Sequence, residues 1–531
     1  MFNRQALILP HWQDSAENFA PHIADFTGAQ YSGADMCANL PGSYPVIARR
    51  DLKDIIGAML RPENQWFFLT VQDEEDIDHA AREWLESRTE LQRRITYDPA
   101  AKFKRATGEA DDFYVVTGQA CISKEVRHEN VAMLFRAWHL RDLAWCENAY
   151  GVVDTIHRKW KPSLRELDRM FPGKLHAVMQ EKLKTSPYDY AEIRHCIVPS
   201  DYYAPAEKRG IHPFTSVYVD VQNEHIIEET GKWTKMYTIP RWLTVPGSQF
   251  SYSPAVLAGL PSARALQAIT LTMLQAGEKT ANPPTVHAAG ALRGDLQLYA
   301  GGSNPYDPEY DERTGEVIRP IPLDKSGLQF GIALAERSKM EVVEAFYLNK
   351  LNLTPIDPQM TAYQVSQILQ DNMRKVLAVM GPTETEYNAD LCDDVFEELF
   401  RAGAFGADRD IPESLSGEKI SFRFESPLHR SIERQKGQEL QEALQMISGT
   451  AAFDPQAPMM LRTRKALREA LIGVGTPADW LASEDEMEQY DQQAAKKAEL
   501  ANFLNTAQAG ATVAKTVGEA GQAMNGAMGA A

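Results

Sequence analysis

Residues 241–284 read RWLTVPGSQFSYSPAVLAGLPSARALQAITLTMLQAGEKTANPP. The stretch opens as a strand, is cut by Pro246-Gly247 and Pro254, and continues as one helix that stops at Asn282-Pro283-Pro284. Between 260 and 279 only Arg264, Glu278 and Lys279 are charged, while Ala263, Ala265, Ala268, Ala276 and Gly277 are spread around the axis. A helix without a broad polar face is one that neighbours enclose. At about 1.5 Å per residue it is roughly 30–36 Å long.

Downstream, 283–323 turns rich in Gly, Pro and Tyr, and a second helix follows over 328–349 with Leu334, Met340, Val342, Val343, Phe346 and Tyr347. Two long helices therefore bracket an insertion. A loop at 352–358 leads to Thr361, which caps a third helix striped by Val365, Ile368, Leu369, Val376 and Val379. Gly381-Pro382 interrupts it, and the pattern resumes through Leu391, Val395, Phe396, Leu399 and Phe400 to Gly403. Upstream the chain is mixed. Helical spacing covers 47–61, a strand 66–71, charged helix 74–106, strand-like runs 113–116 and 133–135, a turn at 148–151, and a helix capped by Ser163; 193–239 is β-rich. Residues 429–500 are helical and highly charged, and the tail from 506 is Ala/Gly-rich low complexity. The fold class expected is α+β.

The 531 residues suggest three or four domain-sized units. Acidic residues outnumber basic ones 73 to 55, a net charge of −18. That argues against wrapping nucleic acid, which needs Lys and Arg to replace counterions, and does not exclude a protein that lets DNA pass without gripping it. Five scattered cysteines with no C-x-x-C pair indicate neither a disulfide framework nor a zinc site. There is no signal-peptide pattern and no apolar run of membrane-spanning length.

Phosphate-binding G-x-x-x-x-G-K-[ST], H-E-x-x-H, G-x-S-x-G and G-x-G-x-x-G are all missing. Asp307, Glu309 and Asp311 imitate the start of a calcium loop, but Glu312 and Ile318 stand where Gly and Glu are required. His195, Cys196, Asp201 and His212 fit no metal-ligand spacing and read as ordinary strand and loop residues. The carboxylates Glu384, Glu386, Asp390, Asp393, Asp394, Glu397 and Glu398 share a helix with Leu391, Val395 and Leu399 and are expected on its solvated face. Neither catalytic residue nor cofactor is expected.

Five stretches, in order, resemble the portal (head-to-tail connector) proteins of short-tailed bacteriophages: 47–69 (IARRDLKDIIGAMLRPENQWFFL), 148–158 (NAYGVVDTIHR), 170–173 (MFPG), the opening stretch, and 361–365 (TAYQV). The resemblance covers about residues 40–405. One departure is Phe250-Ser251-Tyr252-Ser253-Pro254, where the family often has Tyr-Gly.

The resemblance implies a ring, a dodecamer in the family, at one capsid vertex, through which DNA is packaged and ejected. It implies a mixed α/β wing (1–257), stem helices at 258–281 and 326–349 around a clip (282–325), and a channel loop (350–360). A long kinked helix returning to the wing (361–424), a helical crown (425–505) and a flexible tail (506–531) would follow. The implied partners are further copies of the chain, the terminase large subunit, a tail adaptor, major capsid and scaffolding proteins, and double-stranded DNA in the channel. The place is the virion, with assembly in the bacterial cytoplasm and no membrane. Candidate DNA-facing groups are Glu336, Lys339, Glu341, Glu344 and Lys350; the channel loop offers Asn352, Thr354, Asp357 and Gln359. Asp307, Glu309, Asp311 and Glu312 are candidates for docking at the clip. The alternatives are another capsid or tail assembly component (adaptor or scaffold-like), and a metal-dependent nuclease or hydrolase built on the 384–398 carboxylates.

Overall fold

The computed structural model describes residues 1–287 apart from gaps at 29, 30, 32, 63–65, 72–77, 128–131 and 205–209, then 318–321, 326–351 and 381–406. Beyond these it describes only short runs within 292–307, 411–424 and 440–497. The chain forms two compact units, the larger comprising Met1–Phe67, Glu90–Gly406 and Phe422–Leu428.

The larger unit is built on a five-stranded antiparallel sheet in sequential order: Leu143–Glu147, Val153–Trp160, Ile193–Pro199, Phe214–Asp220 and His225–Lys232. Ile193–Pro199 shows why sequence and sheet agree, since its residues alternate between buried and half-buried. A three-stranded sheet sets Ile122–Arg127 between Ala132–Ala137 and Tyr237–Thr238. Aromatic residues fill the core. Trp12 stacks on Trp145 with ring centres 6.4 Å apart, and Tyr114 on Trp242 at 5.1 Å. Helix Leu164–Met170 begins where Ser163 accepts the Glu166 amide, as its sequence position suggests.

The smaller unit comprises Phe68–Thr89, Ala407–Ser421 and His429–Ala531. Within it the Leu69 amide donates to Thr89 Oγ1 at 3.0 Å, Ser414 bonds Asp78 at 2.8 Å, and Thr463–Val474 is helical.

Four expectations need correction. The strand-like run 113–116 lies inside helix Phe103–Thr117. Ala106, Ala110 and all four residues of the run are buried, so the helix has no polar stripe there to reveal its period. Gly118 ends it at φ +80, where any Cβ would collide with the Tyr252 backbone at 2.1 Å.

The long helix spans Pro254–Ala281 and not 258–281. Ser253 caps it by accepting the Val256 amide at 3.2 Å, and Pro254 occupies the first turn, where its missing N–H costs nothing. The return helix is Ser326–Ala345; Tyr347 at φ +57 breaks it, and a separate turn, Leu348–Leu351, follows. Lys350 therefore stands in a helical turn and not in a loop. At Gly381-Pro382 the chain is already helical, and the irregularity is a π turn over Thr383–Ala389 that runs into helix Asp390–Arg401.

Candidate channel wall and assembly surface

The long helix and its return pack antiparallel. Glycine permits the close approach: a Cβ on Gly259 would lie 3.0 Å from Phe346 Cε2 and 3.3 Å from Ala345 Cβ. Ser262 donates to Glu341 at 2.8 Å, and Gly331 faces Met273 further along. Past the tips, Thr285–His287 pairs with Ile318–Pro320, so both ends of the intervening insertion are joined at its base.

Burial is uneven along this hairpin. All buried residues of the long helix lie between Ala255 and Gln267. Beyond Gln267 the hairpin keeps apolar side chains in the open. Leu271 and Leu274 are 48 % and 54 % exposed, and across from them Phe330 and Ile332 are 71 % and 52 % exposed. Several large apolar side chains left open on one element make it a candidate contact site.

The charged candidates on the return helix divide. Glu336 and Glu344, at i and i+8 with exposed Met340 between, share one outward face. Glu336 is bonded to Lys339 at 2.8 Å, and the Lys339 ammonium also lies 5.8 Å from the Tyr44 ring centre. Glu341 instead turns to the neighbouring helix, where the Ser262 hydroxyl and Arg337 hold its carboxyl below the ordinary glutamate range. Lys350 lies 5.6 Å from the Tyr347 ring centre. Asn352, Thr354, Asp357 and Gln359 lie outside the described residues, as do Glu309, Asp311 and Glu312; Asp307 is half-buried.

Four of the 384–398 carboxylates are turned to partners in the larger unit and not to solvent, which corrects the expectation from sequence, while Asp393 is exposed as expected. Glu386, Asp390, Asp394 and Glu398, four residues apart, meet the sheets of the larger unit. Arg241 Nε donates to Glu386 at 3.1 Å, Lys235 pairs with Asp390, Lys124 with Asp394, and Thr234 donates to Glu398 at 2.6 Å. Lys124 is almost wholly buried and also donates to Thr238 Oγ1 at 2.5 Å, so Asp394 is what makes its charge tolerable there. Their i, i+4 spacing was visible in the sequence; the bases more than a hundred residues away were not.

Behind this ladder Arg61 pairs with Asp111, both buried, and the Arg61 guanidinium lies 4.5 Å from the Tyr387 ring centre. Burial opposes the Arg61 charge, but Asp111 outweighs it and holds the guanidinium protonated.

His195 is buried between Tyr237 Oη at 2.6 Å and Ser216 Oγ at 2.9 Å, stacked on Tyr218. Among the described residues no group of three or more His, Cys, Asp or Glu side chains is placed to hold a metal ion, and no helix is long and apolar enough to cross a membrane.

Comparison with known proteins gives this arrangement a family. The portal protein of Salmonella phage epsilon15 is 20 % identical over 388 residues, which is 70 % of this chain and 66 % of that protein, slightly under two thirds of its length. Among solved structures, a chain in the virion of a native gene transfer agent particle overlaps 77 % of this chain and 89 % of its own, at 9 % identity and TM-score 0.31. One in the neck of an empty gene transfer agent particle overlaps 79 % and 94 %, at 9 % identity and TM-score 0.34. Overlaps at those scores add nothing to the argument. The family described as bacteriophage head to tail connecting protein matches residues 3–481. That span takes in both helices of the hairpin and the carboxylate ladder, and the chain belongs to the bacteriophage head to tail connecting protein family.

Proposed function

We propose that the chain is the repeating subunit of a portal ring, through whose channel the phage genome is packaged and ejected. The observation that carries this reading is the distal half of the hairpin, with Leu271, Leu274, Phe330 and Ile332 uncovered. A helix pair that buries one end in its own core and leaves apolar residues open at the other is shaped to be covered by neighbouring copies. A dodecamer is the expected count.

In that ring the mixed half, now ending at Ser253, forms the wing, the hairpin the stem, and the paired strands Thr285–His287 and Ile318–Pro320 the base of the clip. The proposed crown and tail lie beyond residue 425. Glu336 and Glu344 are the best candidates for the lumen, because Glu341 is tied to the neighbouring helix by Ser262. An acidic wall repels phosphate and leaves moving DNA few places to stick.

The proposed partners are the terminase large subunit and tail adaptor at the clip, capsid and scaffolding proteins around the wing, and double-stranded DNA within. Negative-stain microscopy of Leu271→Asp/Leu274→Asp tests the reading: wild-type protein should form closed rings and the variant folded monomers. Wild-type monomers or filaments would discard it in favour of an adaptor-like component. Reversing the charge of Asp307, Glu309, Asp311 and Glu312 should weaken terminase or adaptor binding with rings intact. Shortening 354–358 should impair packaging or DNA retention without affecting assembly.

A further inference from the structure

Three basic side chains converge on one aromatic ring with no acid among them. Strand Val153–Trp160 turns His157 and Lys159 to the same face of the five-stranded sheet, because alternate residues of a strand share a face. Arg194 stands directly across from Lys159 on the next strand, and Cys196 across from His157. The Phe2 ring lies against this group. Its centre is 5.2 Å from the His157 ring, 4.0 Å from the Lys159 ammonium and 5.4 Å from the Arg194 guanidinium carbon. Gln5 pins that segment to the sheet by donating to the Leu140 and Leu143 carbonyls.

The chain does not neutralise the group. Among the described residues none of the three is ion-paired or hydrogen-bonded, and Arg194 Nη1 and His157 Nε2 are shut off from solvent without a partner. The carboxylates that act on Lys159 are Asp142 and Glu192, and each is engaged elsewhere, Asp142 by Arg141 at 3.4 Å and Glu192 by Lys161 at 2.8 Å. Burial and then Arg194 hold Lys159 below the ordinary lysine range. Like charges directly across a strand pair and buried donors without acceptors are both unfavourable. The Phe2 ring attracts cations but carries no charge to cancel theirs. A chain with a net charge of −18 has carboxylates to spare, yet it places none here.

We propose that His157, Lys159 and Arg194 form a binding site for a phosphate-class oxyanion. Lys159 and Arg194 supply two full charges, which match a phosphoryl group of about −1.5 to −2. His157, pushed down to about 4 by burial, Arg194 and Lys159, is an uncharged imidazole at neutral pH and offers Nε2 as a further donor. A guanidinium, an ammonium and an imidazole together outnumber the two oxygens of a carboxylate, whereas a tetrahedral phosphate has an oxygen for each. The same chemistry is presented by free phosphate and by a nucleic-acid backbone. The site does not depend on the portal reading.

Isothermal titration of the full chain with inorganic phosphate, at neutral pH and with chloride holding the ionic strength fixed, tests it. The wild type should bind phosphate saturably, once per subunit. Lys159→Gln and Arg194→Gln should each weaken binding by about tenfold or more. Lys161→Gln, which removes a nearby charge already paired with Glu192, should leave affinity unchanged. Without phosphate, Lys159→Gln should not lower the thermal midpoint, because it relieves one of two facing like charges. A short DNA duplex then separates the sources: competition with phosphate assigns the site to a nucleic-acid backbone, and its absence assigns it to the free ion. No saturable phosphate binding by the wild type overturns the site, and so does binding that survives Lys159→Gln/Arg194→Gln. Where that double variant fails to fold, wild-type affinity in Lys159→Gln overturns it. Affinity is read per subunit from rings or monomers alike, so the oxyanion site and the portal reading fail separately.

Discussion

The two ends of helix Pro254–Ala281 obey different rules. From Ala255 to Gln267 it is a core element, with Ala255, Val256 and Ala263 almost fully buried and Gln267 bonded to the Gly42 carbonyl at 2.7 Å. From Ala268 onward no residue is buried, yet the apolar composition continues through Leu271 and Leu274. Composition alone made the whole helix look enclosed. The structure separates the part of the helix that the chain itself encloses from a part that it leaves open, which the proposed ring would cover. Substitutions near the first end should act on folding and those at the second on assembly.

The sharpest test of the buried core as a whole is Lys124→Ala, which leaves Asp394 without its base in a largely buried setting. Urea denaturation should show a loss of about 3–5 kcal/mol. The double variant Lys124→Met/Asp394→Leu should recover most of it, because it removes both charges together. Recovery of nothing would mean that the pair is not what holds the helix Asp390–Arg401 in place.

Within the buried segment, Gly259→Ala should cost about 1–3 kcal/mol by overpacking against Phe346 and Ala345. The neighbouring Cβ of Ala345 has no flexible end that can give way. The same change at Gly277, where nothing lies within 4 Å, should be neutral or slightly stabilising. Equal effects at the two sites would erase the distinction drawn along this helix.

Acid should also act on the folded core before it touches the stem. Burial keeps His195 well below its ordinary pKa, and burial together with Arg194 and Lys159 pushes His157 down to about 4. Both groups are neutral when folded and take up protons first in the unfolded chain. Stability is thus full above about pH 6.5 and is lost as pH falls below it. His195→Gln should flatten the fall between pH 6.5 and 5 by about 1 kcal/mol per pH unit, read from urea midpoints. An unchanged slope would mean that His195 does not titrate on unfolding in that window.

Much of the scaffold was legible because its signals are local. Ser163 with Glu166, the alternation of 193–199 and the stops at Asn282-Pro283-Pro284 each sit within a few residues of what they determine. Local signals failed where burial erased the pattern, as at 113–116, and where meaning depended on a distant partner. The carboxylates at 386, 390, 394 and 398 look solvated until Lys124, Lys235 and Arg241 are brought to them. The charges of helix Ser326–Ala345 were legible as a set, but their division was not. Only the pairing with Ser262 shows that Glu341, though exposed, is tied to the neighbouring helix while Glu336 is bonded within its own.

The smallest expected effect on folding is the one that matters most for assembly. Leu271 and Leu274 are about half exposed and contribute little to the subunit's own core. Replacing both with Asp should change unfolding free energy by no more than about 0.5 kcal/mol per site, while the subunits lose the apolar area they would bury against one another. A variant that unfolds easily would show that this end of the helix is part of the subunit core after all. One that folds normally and still forms rings would show that the ring is held elsewhere, with the five-stranded sheet's exposed edge at His225–Lys232 the next place to look. Normal folding with lost rings is the expected outcome, because only a surface that was never part of the subunit's core can separate the two measurements.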